Sequence, residues 1–172
     1  MKTRSLRFFA PASVLMLAVT AFGPPPAAVA EEGATAKGTV VYKGRTIAVR
    51  YAYLVKGPDA VDAKQVIRRV VLSPTDIGDR IRACSNMSCS DGDLREGMTV
   101  DYGSGPRLNY WVVMNDQRIQ YSGTVKPEAF TARTDDGRRI SGRLSFNDSG
   151  AGGPTVEVEL DATLVKEFRR KS

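Results

Sequence analysis

The chain has 172 residues, with 25 Lys and Arg against 19 Asp and Glu, a net charge of +6 and no histidine. Without histidine it has no Ser-His or Cys-His nucleophile pair and no His-ligated metal site. The modest, interspersed positive charge gives no reason to expect a nucleic-acid partner, which requires basic residues gathered on one face.

Residues 1–30 have the pattern of a secretory signal peptide. Basic residues lie within the first seven positions, a mostly apolar stretch follows over 8–22, and small residues surround a predicted cleavage point after Ala30. The alternative, a membrane anchor, is disfavoured because Pro11 interrupts an apolar stretch already shorter than the ~20 residues of a spanning helix. We therefore expect a periplasmic or secreted protein with no membrane span after cleavage.

Cleavage leaves 172 − 30 = 142 residues, a length typical of one domain of roughly 100–150 residues. We predict a flexible segment at 31–37, a single β-rich domain at 38–168 and a basic tail at 169–172. The signal peptide carries three of the Lys and Arg residues and no acid, so the net charge of the mature chain is 22 − 19 = +3.

The mature chain opens with two predicted strands joined by a tight turn. Residues 39–42 form a compact apolar run, Lys43-Gly44 offers a turn, and 45–55 resume with β-branched and aromatic residues. Within this second run Tyr51 and Tyr53 fall on one face, because side chains alternate along a strand.

A central strand and a short helix are predicted next. The run Val70-Val71-Leu72 is apolar on both faces, which is typical of a strand in the middle of a sheet. Ser73 and Pro74, with an acid at Asp76, have the pattern of a helix start. We therefore predict one short helix near 74–82.

From Gly97 onward, short strands alternate with turns. The clearest alternation covers 155–164 and points one set of side chains inward, namely Val156, Val158, Leu160 and Ala162. The whole pattern of about eight strands, with turn signals every ~8–12 residues, predicts an all-β fold, either an antiparallel β-sandwich or a half-open barrel.

Cys84 and Cys89 are the two cysteines of the chain. In an oxidising compartment such a pair is expected to form a disulfide. A redox-active pair is disfavoured because four residues intervene and no helix N-terminus is evident to lower a thiol pKa. We interpret the bridge as a local staple.

The main aromatic candidates for ligand binding are Tyr110 and Trp111. They are expected to face opposite sides of one strand, so that one joins the core and the other is exposed or half-exposed. An exposed ring flanked by Arg107 or Arg118 would bind a sugar or a peptide by stacking. The alternative is that both rings serve core packing.

The acidic residues suggest two further alternatives. Asp91, Asp93 and Glu96 resemble a fragment of a calcium site, but the run lacks the third spaced ligand and the following glycine, so an ordinary acidic turn is favoured. Paired carboxylates can hydrolyse glycosides, although the acids of this chain fall in turns and on the wet faces of strands. No catalytic residue, cofactor or resident metal is predicted.

The segments Gly38-Thr39-Val40, Tyr51-Ala52-Tyr53-Leu54 and Arg69-Val70-Val71-Leu72-Ser73-Pro74 resemble those of small exported bacterial proteins of uncharacterised function. The resemblance covers about the first half of the mature chain and implies a bacterial envelope setting and a β-rich fold. It supplies no catalytic residues.

We expect an exported bacterial envelope protein that acts as a non-catalytic binding or interaction module for an envelope protein, peptide or glycan. The alternatives are a carboxylate-dependent hydrolase and an inhibitor-like or structural envelope protein that presents the 84–89 loop.

Overall fold

The computed structural model describes residues 34–59, 62–92, 94–103, 105–116 and 118–169. The predicted signal peptide and residues 31–33, 60, 61, 93, 104, 117 and 170–172 lie outside the described residues.

The described chain is built mostly from strands, with two short helices and two 3-10 turns at Pro127–Ala129 and Ser149–Ala151. The helices are α1 (Gly78–Ala83) and α2 (Met87–Gly92). The strands are β1 (Ala34–Tyr42), β2 (Arg45–Val49), β3 (Tyr51–Pro58), β4 (Val66–Ser73), β5 (Gly97–Tyr102), β6 (Leu108–Met114), β7 (Arg118–Val125), β8 (Phe130–Asp135), β9 (Arg139–Asn147) and β10 (Thr155–Glu167).

The strands form one curled, mixed sheet that makes a half-barrel. Eight strands follow the order β2-β1-β10-β3-β4-β5-β6-β7, while β9 pairs with β10 and β8 pairs with β9. The predicted β-rich, half-open architecture is confirmed. It differs from a purely antiparallel sheet in one place, because the end of β10 pairs in parallel with β3, and this pairing contains a register shift between Leu164 and Lys166.

The first core fills the inside of the curl. The inward side chains of β10 pack there as predicted, and the hydrogen-bond registers place them beside β1 on one side and β9 on the other. Aromatic contacts link opposite parts of the sheet: the ring centroids of Tyr110 and Phe146 are 5.0 Å apart, and those of Tyr102 and Phe130 are 5.3 Å apart. The outward acids of β10 form cross-strand ion pairs with arginines of β8 and β9.

A second core lies on the outer face of β3 and β4, beneath α1 and α2. Apolar residues of the strands meet apolar residues of the helices and of the C-terminal segment, namely Tyr53, Val55, Ile67, Val71, Ile77, Ile81, Cys84, Met87, Leu94, Val113 and Phe168. Each helix has six residues, too few for a helix to be stable alone in water. The helices therefore depend on this second core.

Two predicted boundaries need correction. Strand β1 begins at Ala34, so residues 34–37, predicted to be flexible, pair with β10 instead. The predicted helix begins at Gly78 rather than near 74, because Asp76 accepts hydrogen bonds from the Gly78 amide at 2.9 Å and from the Tyr53 hydroxyl at 2.6 Å. A second helix, α2, was not predicted.

Candidate functional site

The outer face of β4, β5 and β6 carries a buried charge cluster where the helical layer ends. Arg69 on β4 lies opposite Asp101 on β5 in the strand register. Their side chains form a bidentate ion pair, with Nε to Oδ1 at 2.5 Å and Nη2 to Oδ2 at 2.7 Å. Arg69 is 9% exposed and Asp101 is 3% exposed. A charge buried this deeply needs its partner, because an unpaired buried ion is strongly destabilising.

Helix α2 adds a second carboxylate to the same guanidinium. Nη1 of Arg69 donates to Oδ2 of Asp91, which lies near the end of α2. Burial raises the pKa of Asp91 to about 6, and the nearby charge of Asp101 adds to the rise while Arg69 opposes it. Burial also raises the pKa of Asp101, against the effect of its bonds to Arg69. The cluster thus joins the sheet to the helical layer.

Trp111 on β6 lies against the same arginine. The Cζ atom of Arg69 is 5.2 Å from the centre of the Trp111 ring, within the range of a cation–π contact. Trp111 is half-buried and pairs in register with Thr99 of β5 on one side and Ser122 of β7 on the other. On the neighbouring strand β7, the side chains that share this face are exposed.

We call the uncovered outer face of β6 and β7 the ledge. Side chains directly opposite one another on antiparallel strands share a face, and the register assigns six residues to this one. Val113 is buried in the second core, and the other five form the ledge: Asn109, Trp111, Ile119, Ser122 and Thr124. Ile119 is 62% exposed and pairs with Val113, one row from the Trp111–Ser122 pair. Among the described residues, the other large hydrophobic side chain with this much exposure is Val66, on β4, at 59%.

Arg107 marks one end of the ledge. Its Nε donates to Oγ1 of Thr124 at 2.8 Å, and its Nη2 donates to the backbone carbonyl of Thr124 at 3.0 Å. Both acceptors are neutral, so these bonds hold the guanidinium in place without neutralising its charge.

The structure separates the four predicted ligand-binding residues. Trp111 and Arg107 lie at the ledge. Tyr110 points into the first core, where it is fully buried and its hydroxyl donates to Oδ2 of Asp148. Arg118 is exposed and pairs with Met114, whose side chain is on the inner face. The prediction that Tyr110 and Trp111 face opposite ways is confirmed, and Tyr110 is the core residue.

The predicted disulfide between Cys84 and Cys89 is present, with Cα atoms 5.5 Å apart. It joins the residue after α1 to the middle of α2. Cys84 and Met87 are buried in the second core, whereas Ser85, Asn86 and Ser88 are exposed. The bridge therefore staples the two helices together, and the loop offers small polar side chains to solvent.

The acidic run after the disulfide does not form a common site in the described part of the chain. Asp91 bonds to Arg69, Glu96 forms an ion pair with Arg45 at 3.1 Å, and Asp93 lies outside the described residues. Within the described ranges, no group of three or more acidic or cysteine side chains is arranged to hold a metal ion.

Sequence reasoning missed Arg69 and Asp101. One signal was available: an arginine directly before the apolar run of a central strand is a candidate for burial, and a buried guanidinium needs an acidic partner. Asp101 lies 32 residues away, and only the pairing of β4 with β5 shows that it is the partner.

No family model, curated protein or solved structure matches this chain. None of the helices in the described residues is long and apolar enough to cross a membrane.

Proposed function

We propose that this protein is a non-catalytic interaction module of the bacterial envelope that binds another protein through the ledge. The observation that supports this most is the presence, on one sheet face, of a half-buried tryptophan stacked on Arg69 and a strongly exposed isoleucine in the adjacent row. Protein interfaces are typically built around a few aromatic, aliphatic and arginine anchors with a polar surround.

The chemistry of the ledge indicates what its partner offers. Ile119 and the free part of the Trp111 ring favour an apolar side chain, while Ser122, Thr124 and Asn109 supply short polar groups around them. Arg107 favours a carboxylate, because its bonded acceptors leave its charge in place. We therefore expect a partner surface with an apolar residue flanked by an acid.

The envelope setting rests on two separate observations. The N-terminal 30 residues have the pattern of a signal peptide, and the Cys84–Cys89 disulfide fits an oxidising compartment.

The carboxylate-hydrolase alternative is less well supported by the cluster. Asp91 and Asp101 are the obvious acid pair, but both bind the guanidinium of Arg69. A hydrolytic role needs a carboxyl that is free to meet the substrate. The loop-presenting alternative has small polar groups at 85, 86 and 88, which are weak anchors for an interface.

The two exposed large hydrophobics provide a matched test. Full chains carrying Ile119→Ser or Val66→Ser are used as baits in an envelope extract, and captured proteins are quantified against wild type. We expect Val66→Ser to keep the wild-type partners and Ile119→Ser to lose them. Equal capture by both variants contradicts a ledge interface, and capture of glycans rather than protein would replace the proposed partner class.

A further inference from the structure

Arg69 is shared by groups from three different elements. It binds Asp101 of β5 and Asp91 of α2, and it lies over the ring of Trp111 of β6. We propose that Arg69 fixes the orientation of Trp111 for binding at the ledge and that protonation of Asp91 loosens this arrangement, so that the ledge binds its partner more weakly in acid. This inference rests on the proposed function of the ledge.

Arg69 is suited to orient the ring. A guanidinium is flat and stacks on aromatic faces, and a bidentate carboxylate fixes the plane in which it lies. Asp101 provides this bidentate contact from the neighbouring strand, and both groups are buried. Trp111 therefore packs against a surface whose position the sheet determines.

Asp91 is the part of the cluster that is able to change. It reaches Arg69 through one oxygen, its side chain is 30% exposed, and it belongs to a six-residue helix. Burial raises the pKa of this carboxyl to about 6. Asp101, by contrast, uses both oxygens and has a side chain that is 4% exposed.

The groups that face Asp91 define its response to pH. Arg69 faces it from β4 and Asp101 acts on it from β5, while the hydroxyl of Ser90 on α2 donates to its Oδ1 at 3.5 Å. Asp59, directly after β3, acts on Asp101. The chain contains no histidine, so a transition near pH 6 cannot be assigned to an imidazole.

Protonation of Asp91 removes the ionic link between α2 and the sheet. Arg69 then keeps its ion pair with Asp101, while its contact with Asp91 weakens from an ion pair to a hydrogen bond to a neutral carboxyl group. Arg69 is then held less firmly, so the Trp111 ring that lies against it becomes more mobile. A partner has to immobilise this ring on binding, and its affinity falls for that reason. We expect partner affinity to fall by on the order of fivefold between neutral pH and pH 5.

Trp111 reports on this arrangement directly, because it is the single tryptophan of the chain. We would measure its emission and its quenching by acrylamide from pH 5 to pH 8. Wild type should show a transition with a midpoint near pH 6, with more quenching in acid. Asp91→Asn should show the acidic level of quenching at every pH.

Asp79→Asn is the matched control, since Asp79 is an exposed acid of α1 that forms a 2.9 Å ion pair with Arg82 of the same helix. It should keep the wild-type transition. A flat profile in wild type, or a transition that persists in Asp91→Asn, overturns the proposal. Arg69→Lys keeps the charge but not the flat bidentate geometry, and it should raise quenching throughout the pH range.

The binding readout separates this proposal from the proposed function. Capture from envelope extract is compared at pH 7.5 and pH 5 for wild type and Asp91→Asn. A fluorescence transition without any partner that depends on Ile119 would contradict the proposed function alone. A partner that depends on Ile119 but binds wild type and Asp91→Asn equally at both pH values would contradict only the coupling.

Discussion

Breaking the Cys84–Cys89 bridge should lower the free energy of unfolding by about 2 kcal/mol and leave the half-barrel folded. The bridge joins residues five positions apart and so closes a loop of six residues. In the chain-entropy model, a loop of this length restricts the unfolded chain by about 7 cal/mol/K, which is about 2 kcal/mol at room temperature. The small value follows from the shortness of the loop.

The location of the bridge explains why the remaining structure should survive. Neither cysteine belongs to the first core, which is formed by the inner face of the curled sheet. Cys84 is buried in the second core, where α1 and α2 cover the outer face of β3 and β4. Loss of the bridge should therefore loosen the two helices before it affects the strands.

Urea unfolding of the oxidised and reduced protein, followed by the emission of Trp111 and by far-UV circular dichroism, measures this difference. A variant with Cys84→Ala and Cys89→Ala should match the reduced protein and should not respond to reductant. A loss above about 5 kcal/mol, or unfolding of the whole domain on reduction, would show that the bridge supports the strands as well. No loss at all would refute the loop-entropy reasoning.

Three further predictions concern stability, each measured by urea unfolding. Burial raises the pKa of Asp91 to about 6, so the carboxyl group of Asp91 binds its proton more tightly in the folded protein than in the unfolded chain. The contribution of Asp91 to the free energy of unfolding should therefore fall as the pH rises from about 4 to about 6. Asp91→Asn should remove the contribution of Asp91 to this dependence. An unchanged pH dependence in the variant would contradict the assignment. Gly97→Ala should destabilise the protein by more than about 3 kcal/mol, because φ is +147° and a Cβ atom would overlap a carbonyl of β4. Gly44→Ala should cost about 1 kcal/mol, because φ is +75° but the space around it is open. Similar losses at both positions would argue against the overlap. Tyr110→Phe removes a hydrogen bond to a carboxylate and should lower the free energy of unfolding by about 2 kcal/mol. Tyr102→Phe removes a buried hydroxyl that has no partner among the described residues and should change it by less than about 0.5 kcal/mol. A larger loss for Tyr102→Phe than for Tyr110→Phe would refute this comparison.

The parts of the fold that depend on local pattern were predictable from the sequence. In β10 the alternation of residues determines which side chains enter the core, because neighbouring side chains of a strand point to opposite faces. The same rule placed Tyr110 and Trp111 on opposite faces, although it did not show which of them is buried. The disulfide was predictable because the chain has two cysteines and its first 30 residues have the pattern of a signal peptide.

The parts that depend on distant pairing were not predictable. The parallel contact between β10 and β3 joins the C-terminal part of a long strand to a strand from the first half of the chain. The cluster around Arg69 depends on the register between β4 and β5 and on where α2 packs. No short-range signal in the sequence specifies either arrangement. The charge cluster beside Trp111 could therefore be identified only from the tertiary structure.

Site-specific photo-crosslinking tests the central claim most directly. A photo-reactive amino acid is placed in the full chain at position 119 on the ledge, at position 66 on β4, or at position 86 in the disulfide loop, and the protein is irradiated in the intact envelope. The ledge interface predicts a discrete protein adduct from position 119 and none from positions 66 and 86. An adduct from position 86 or 66, with none from position 119, would contradict it.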